Sequence, residues 1–169
     1  RLGSPRTATG ERTDAMRAAM ETERAWCETT LSRVSRTFAL CIRFLPGDVR
    51  WPVLLSYLLC RIADTIEDNP ALDAGRKRAL LATYVESLVR RDGGDLDLAA
   101  AFAGVAGAEA DLARQADRVV GLFAELPAPV RDEITPWVTE MCRGMGEFAG
   151  LRGDVRVAVL LALTDMAPD

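Results

Sequence analysis

The 169-residue chain contains no histidine. That excludes a Ser–His or Cys–His nucleophile, a His-based zinc site and a His proton shuttle. Any catalysis must rest on carboxylates, Arg, Tyr, a carboxylate-held metal or a partner. A long hydrophobic run is also missing. The longest wholly apolar stretch, Val157 to Leu163, falls far short of the ~20 residues a membrane-spanning helix needs. There is no excess of positive charge, since 21 Lys+Arg face 25 Asp+Glu for a net charge of -4. This argues against a nucleic-acid binder led by a strong positive field. The cysteines at 27, 41, 60 and 142 form no C-x-x-C pair. Cys41 and Cys60 sit in apolar runs, where reduced core thiols are expected, and this favours a cytoplasmic setting.

What is present suits a globular protein. The chain is long enough to bury about 68–70% of its unfolded surface. Residues 1–12 are Arg-, Thr- and Gly-rich and lack the apolar stretch of a secretory signal. They are expected to form a disordered lead-in. The chain opens on Arg1 rather than methionine, which fits a fragment or a processed product.

Helical period dominates the rest. One helix is expected over 14–33 and a second over Ser35 to Leu45, ended by Pro46-Gly47. A long helix follows to Asp68, with Asp48 as N-cap, Pro52 in its first turn and Asn69-Pro70 as its stop. Asp73 caps the next, whose Leu80, Leu81, Tyr84, Val85 and Leu88 form one stripe. A weaker helix is expected over 97–106, then one over 109–126 and a last over 130–149. Only Val155 to Val159 carries a β-signal, and it is equivocal. The fold class is all-α.

The informative element is Trp51 to Asp68, WPVLLSYLLCRIADTIED. At ~100° per residue, Tyr57, Arg61, Asp64 and Asp68 fall at about 0°, 40°, 340° and 20°, a single narrow stripe. Leu55, Leu58, Leu59, Ile62 and Ile66 cover the other side. The stripe reads either as a solvated face, with Arg61 and Asp64 as an ion pair, or as the wall of a cavity. In the second case Asp64 and Asp68, spaced i, i+4, aim two carboxylates at one point. Such a pair suits Mg²⁺, which prefers one or two carboxylates plus substrate phosphates to an all-protein cage. A bound cation would also relieve their mutual repulsion. Arg33-Val34-Ser35-Arg36 is a second candidate, because arginine forks match phosphate oxygens. A solvent-facing basic turn is the alternative.

Together these elements resemble the squalene/phytoene synthase family of head-to-head prenyl transferases. Val34-Ser35-Arg36-Thr37-Phe38-Ala39 is similar to its V-S-R-[ST]-F-A segment, and Tyr57 to Asp68 to its Y-x-x-x-R-x-x-D-T-[VI]-E-D motif. Met141 to Phe148 resembles its G-M-x-x-F stretch, so the likeness covers about residues 23–148. The D-T-I-E-D form is nearer the squalene branch than the phytoene branch. The resemblance implies the N-terminal part of the isoprenoid synthase helical fold around a central cavity. It implies Mg²⁺ on Asp64 and Asp68, diphosphate on Ser35, Arg36 and Arg61, Tyr57 lining the site, and Phe38 facing an allylic cation.

The implied reaction joins two farnesyl diphosphates into presqualene diphosphate and squalene, with NADPH as reductant bound outside this chain. The implied alternatives are a phytoene-type condensation of geranylgeranyl diphosphate and a catalytically incompetent helical remnant. Oily products imply peripheral contact with a membrane surface from the cytoplasm. After Phe148 the family's Y-C-x-Y-V-A-G helix and second aspartate-rich motif do not follow. The expected organisation is therefore a lead-in over 1–12, a truncated helical domain over 13–149 and a divergent, frame-shifted or misassigned tail over 150–169. Asp165 and Asp169 keep D-x-x-x-D spacing, but Pro168 speaks against a metal-binding helix there.

Overall fold

The structure, a computed structural model, describes residues 8–92 and 96–164, with side chains from Arg12 to Ala149. Within them the chain is all-α, with eight helices and no strand among the described residues. It divides into two units, Arg1–Leu45 and Pro46–Asp169.

The first unit holds α1 (Ala8–Val34) and α2 (Arg36–Arg43), which pack on one another. Ala8 to Arg12 are helical although an irregular lead-in was expected to residue 12; residues 1–7 lie outside the described residues. Ser35 separates the two helices. Its extended backbone breaks α1, and its hydroxyl oxygen accepts the Phe38 N–H at 3.3 Å, satisfying a donor that α2 leaves orphaned. The buried apolar side chains of this unit include Cys27, Leu31, Val34, Ala39 and Ile42.

In the second unit α3 (Gly47–Asp68) is central, packing against α4 (Ala74–Arg90), α6 (Ala108–Ala113), α7 (Ala116–Ala124) and α8 (Ala128–Thr164). Leu54, Leu55, Leu58, Leu59, Ile62, Ala63 and Ile66 of α3 are buried. Each large one contributes about 1.5–3 kcal/mol on leaving water. Asp48 is not the N-cap. Pro46 takes that place without a side-chain bond, and its carbonyl accepts the N–H groups of Val49 and Arg50 at 3.1 and 2.9 Å. Because α3 starts at Gly47, Pro52 lies beyond the first turn and removes one ladder donor there. At the other end Asn69 Oδ1 accepts the Ala71 N–H at 3.0 Å, and Lys77 donates to the Glu67 carbonyl.

Asp73 caps α4 as its position predicts, accepting the Arg76 N–H at 2.8 Å. The weak helix expected over 97–106 shrinks to α5 (Leu98–Ala101). The helix expected over 109–126 is split into α6 and α7 at Arg114-Gln115. The cause is tertiary. The Arg114 guanidinium donates to the carbonyls of Phe102 and Val105 at 2.7 and 2.9 Å, gathering the α5–α6 loop onto the break. Arg114→Ala strands both acceptors and should destabilise the chain by about 2 kcal/mol, read from the midpoint of urea unfolding. An unchanged midpoint would show that water replaces the guanidinium without loss. Finally, α8 continues past 149, so the equivocal Val155–Val159 stretch is helical in its backbone. Asp165 and Asp169 lie outside the described residues. No described helix is long and apolar enough to cross a membrane.

Candidate functional site

The C-terminal half of α3 borders a cavity of about 330 Å³, lined by Arg61, Asp64, Thr65, Asp68 and Asn69 together with Phe102, Val105 and Glu109. The narrow stripe on α3 is therefore a cavity wall at Arg61, Asp64 and Asp68. Tyr57 is half-buried on the same helix but does not line this cavity. Ser35, Arg36 and Phe38 belong to the first unit. There Arg36 and Phe38 are exposed, and the Ser35 oxygen is engaged as the α2 cap.

Sequence reasoning missed Glu109, whose Oε1 lies 3.4 Å from Arg61 Nη2. Glu109 opens α6, 48 residues away, and the only visible signal was an acid in a helix's first turn. On the other side of the guanidinium, Asp64 Oδ2 lies 3.7 Å from Arg61 Nη1. Arg61 is thus flanked by two carboxylates, while Asp68 stands one turn beyond Asp64.

Burial raises the Asp64 carboxyl above its ordinary value, the charge on Arg61 opposes this, and Asp68 pushes it up further. This crowding of negative charge is what a cation would relieve. Two buried donors, Arg61 Nε and Asn69 Nδ2, have no acceptor. Such groups are costly unless something accepts from them. Carboxylates that favour a cation beside donors that favour an anion fit a metal–phosphate pair better than either alone. No cluster of three or more Cys, Asp or Glu suited to a metal occurs among the described residues. An ion here would accordingly complete its shell with water and ligand oxygens, the habit of Mg²⁺.

Behind the cavity wall the thiols are quiet. Cys142 is buried and its pKa is pushed up to about 12, by burial first and then by Cys60 and Asp64. Burial, with Asp64 adding to it, raises Cys60 as well. Cys41, expected in the core, is instead exposed on α2, because Ala39 and Ile42 supply that helix's buried face. All four thiols are free. Cys142 stays in its unreactive thiol form at pH 8. Iodoacetamide should therefore alkylate Cys41 well before Cys142, as followed by peptide mapping. Equal labelling rates in the folded chain would contradict this placement.

The profile of the squalene/phytoene synthase family matches residues 31–160. The chain belongs to the squalene/phytoene synthase family. The match starts and ends later than the 23–148 expected from the motifs. Squalene synthase BSS of Botryococcus braunii is 32% identical over 129 residues, covering 75% of this chain and 26% of that protein. A presqualene diphosphate synthase of the same alga is 30% identical over 128 residues, covering 76% of the chain and 30% of the relative. The squalene synthase of Rattus norvegicus is 40% identical over 58 residues, covering 34% and 14%. The chain spans about a quarter of the length of the curated relatives it matches at greatest coverage. Its all-α build agrees with the isoprenoid synthase fold of the family.

Proposed function

We propose that this chain carries diphosphate-binding machinery of a head-to-head prenyl transferase that joins two farnesyl diphosphates into presqualene diphosphate with release of one diphosphate, the further step to squalene taking hydride from NADPH bound outside this chain and releasing the second diphosphate. The observation that carries the reading is the juxtaposition at one cavity of Asp64, Asp68 and Arg61, with buried donors lacking acceptors beside crowded carboxylates. Family membership and the names of the relatives support the reaction class.

In this reading Asp64 and Asp68 hold Mg²⁺, which when bound neutralises charge on a leaving diphosphate. Arg61 donates to the phosphate oxygens, where an arginine fork is stronger than a single donor. Tyr57, half-buried toward the middle of α3, lines the route of the prenyl chain. The apolar flank of the cavity, Phe102 and Val105, limits water near a developing carbocation. For Ser35 and Arg36 as further diphosphate ligands, and for Phe38 as the ring facing the cation, the support is the resemblance of their segment. The D-T-I-E-D form favours farnesyl over geranylgeranyl diphosphate as substrate. With one i, i+4 aspartate pair at the cavity, the chain alone is expected to bind Mg–diphosphate weakly and to turn over little.

The test is the unfolding midpoint of the chain with farnesyl diphosphate, in MgCl₂ and in EDTA. A rise that needs both ligand and Mg²⁺, and is lost in Asp64→Asn/Asp68→Asn, is expected. An equal rise in that double variant would overturn the assignment of the aspartates.

A further inference from the structure

Glu109 reaches the cavity from α6, whereas Arg61, Asp64 and Asp68 all stand on α3. Its place there is fixed by the surrounding fold. The next residue, Ala110, is buried, α6 packs on α3, and Arg114 gathers the preceding loop inward. Gly107 leads into α6 at φ 122°, a backbone conformation that residues with a side chain rarely adopt.

Among the described residues, those lining the cavity carry one positive charge, on Arg61, and three negative ones, on Asp64, Asp68 and Glu109. A bare anion therefore meets net repulsion. It also meets a guanidinium that is already engaged. Arg61 Nη1 faces Asp64 at 3.7 Å, and Nη2 faces Glu109 at 3.4 Å. The three acids are not equivalent. With a divalent cation on Asp64 and Asp68 their two charges are offset, and the hold of Asp64 on Nη1 weakens. Glu109 is left as it was. Its charge favours arrival of the cation and opposes the anion that comes without one, so the two effects reinforce each other.

On the diphosphate reading of this cavity, we infer that Glu109 is a specificity residue that, by holding Arg61, makes capture of a diphosphate conditional on a divalent cation. Free phosphate and free diphosphate are thereby rejected in favour of the metal complex. Glu109 acts through Arg61 and is a positioning residue, not a catalytic one. The ion pair itself is partly exposed on both sides and contributes little to stability. Its removal therefore leaves the fold intact.

The experiment is calorimetric titration of the chain with inorganic diphosphate at low salt, in MgCl₂ and in EDTA. The parent should bind in MgCl₂ and far more weakly in EDTA. Glu109→Gln should bind in EDTA about tenfold more tightly than the parent, because one like charge is gone and one fork nitrogen is released. Its affinity in MgCl₂ should change by less than about threefold, since Asp64 has already loosened its hold there. In Arg61→Gln/Glu109→Gln the gain in EDTA should disappear. A tighter complex is a readout that a destabilised variant would not produce. Unchanged affinity of Glu109→Gln in EDTA, an equal rise in both media, or a gain that survives the loss of Arg61 would each overturn the inference while the diphosphate reading stands. A parent that does not bind diphosphate in MgCl₂ would overturn that reading and the role of Glu109 together.

Discussion

Asp64→Asn is expected to weaken Mg²⁺-dependent affinity for farnesyl diphosphate about a hundredfold, some 2.7 kcal/mol, without lowering the stability of the unliganded fold. The two halves of this expectation have one origin. Asp64 shares its cavity with Asp68 and Glu109, and burial raises its carboxyl above the ordinary value of 3.8. An acid whose folded pKa is raised binds its proton more readily folded than unfolded. Ionising it therefore costs stability, a cost absent below 3.8 that grows as pH rises through the folded pKa. Asparagine never incurs that cost. Its loss of the Arg61 ion pair at 3.7 Å matters little, because the pair is about a third exposed and screened. The net stability change at neutral pH should be zero or a gain of less than about 1 kcal/mol. Calorimetric titration and thermal unfolding at pH 7 and pH 3.5 measure the two halves. A variant that binds like the parent would remove Asp64 from the metal site. A variant clearly less stable at pH 7 would mean that Asp64 has a structural partner stronger than Arg61.

The second large effect belongs to Tyr84. Its side chain is fully buried on α4, and its hydroxyl donates to the Leu59 carbonyl of α3 at 3.0 Å. Burial, with Cys142 and Cys60 adding to it, holds the phenol well above its ordinary range, so it remains a neutral donor. Tyr84→Phe removes the donor alone. The Leu59 carbonyl keeps its place in the α3 ladder, and the cost should be about 1 kcal/mol. Tyr84→Ala empties a ring-sized volume behind the helix that carries Asp64, and should cost about 3–5 kcal/mol, a large share of the stability of a small domain. Urea unfolding of the two variants separates bond from volume. Equal losses would place the value in the hydroxyl and contradict the packing account.

The sequence revealed α3 well because one helical period runs through it unbroken. Seven apolar positions take the buried side, and of the two readings the stripe left open, Arg61, Asp64 and Asp68 follow the cavity wall while Tyr57 does not. Its start was misjudged because a proline carbonyl, rather than the side chain of Asp48, accepts the first free donors. The split between α6 and α7 was not legible, since it depends on Arg114 reaching loop carbonyls that no local pattern announces. Glu109 escaped notice for the same reason. Its meeting with Arg61 spans 48 residues and exists only once α6 packs on α3. Cys41 was placed in the core because its neighbours are apolar, yet on an eight-residue helix only Ala39 and Ile42 are buried. The resemblance to a family rested on motifs with tight spacing, and these survived every such local error.

The contact between Arg61 and Glu109 bears on how quickly the cavity can accept a ligand. A long, flexible guanidinium in water samples many rotamers and must be frozen by whatever it grips. Here it already has a resting place, 3.4 Å from a carboxylate on a neighbouring helix. Under the proposed function, an arriving phosphate would not have to order this side chain; it would replace one anion with another. Part of the entropy of capture would then have been spent in folding, with Glu109 as the placeholder that keeps the fork open.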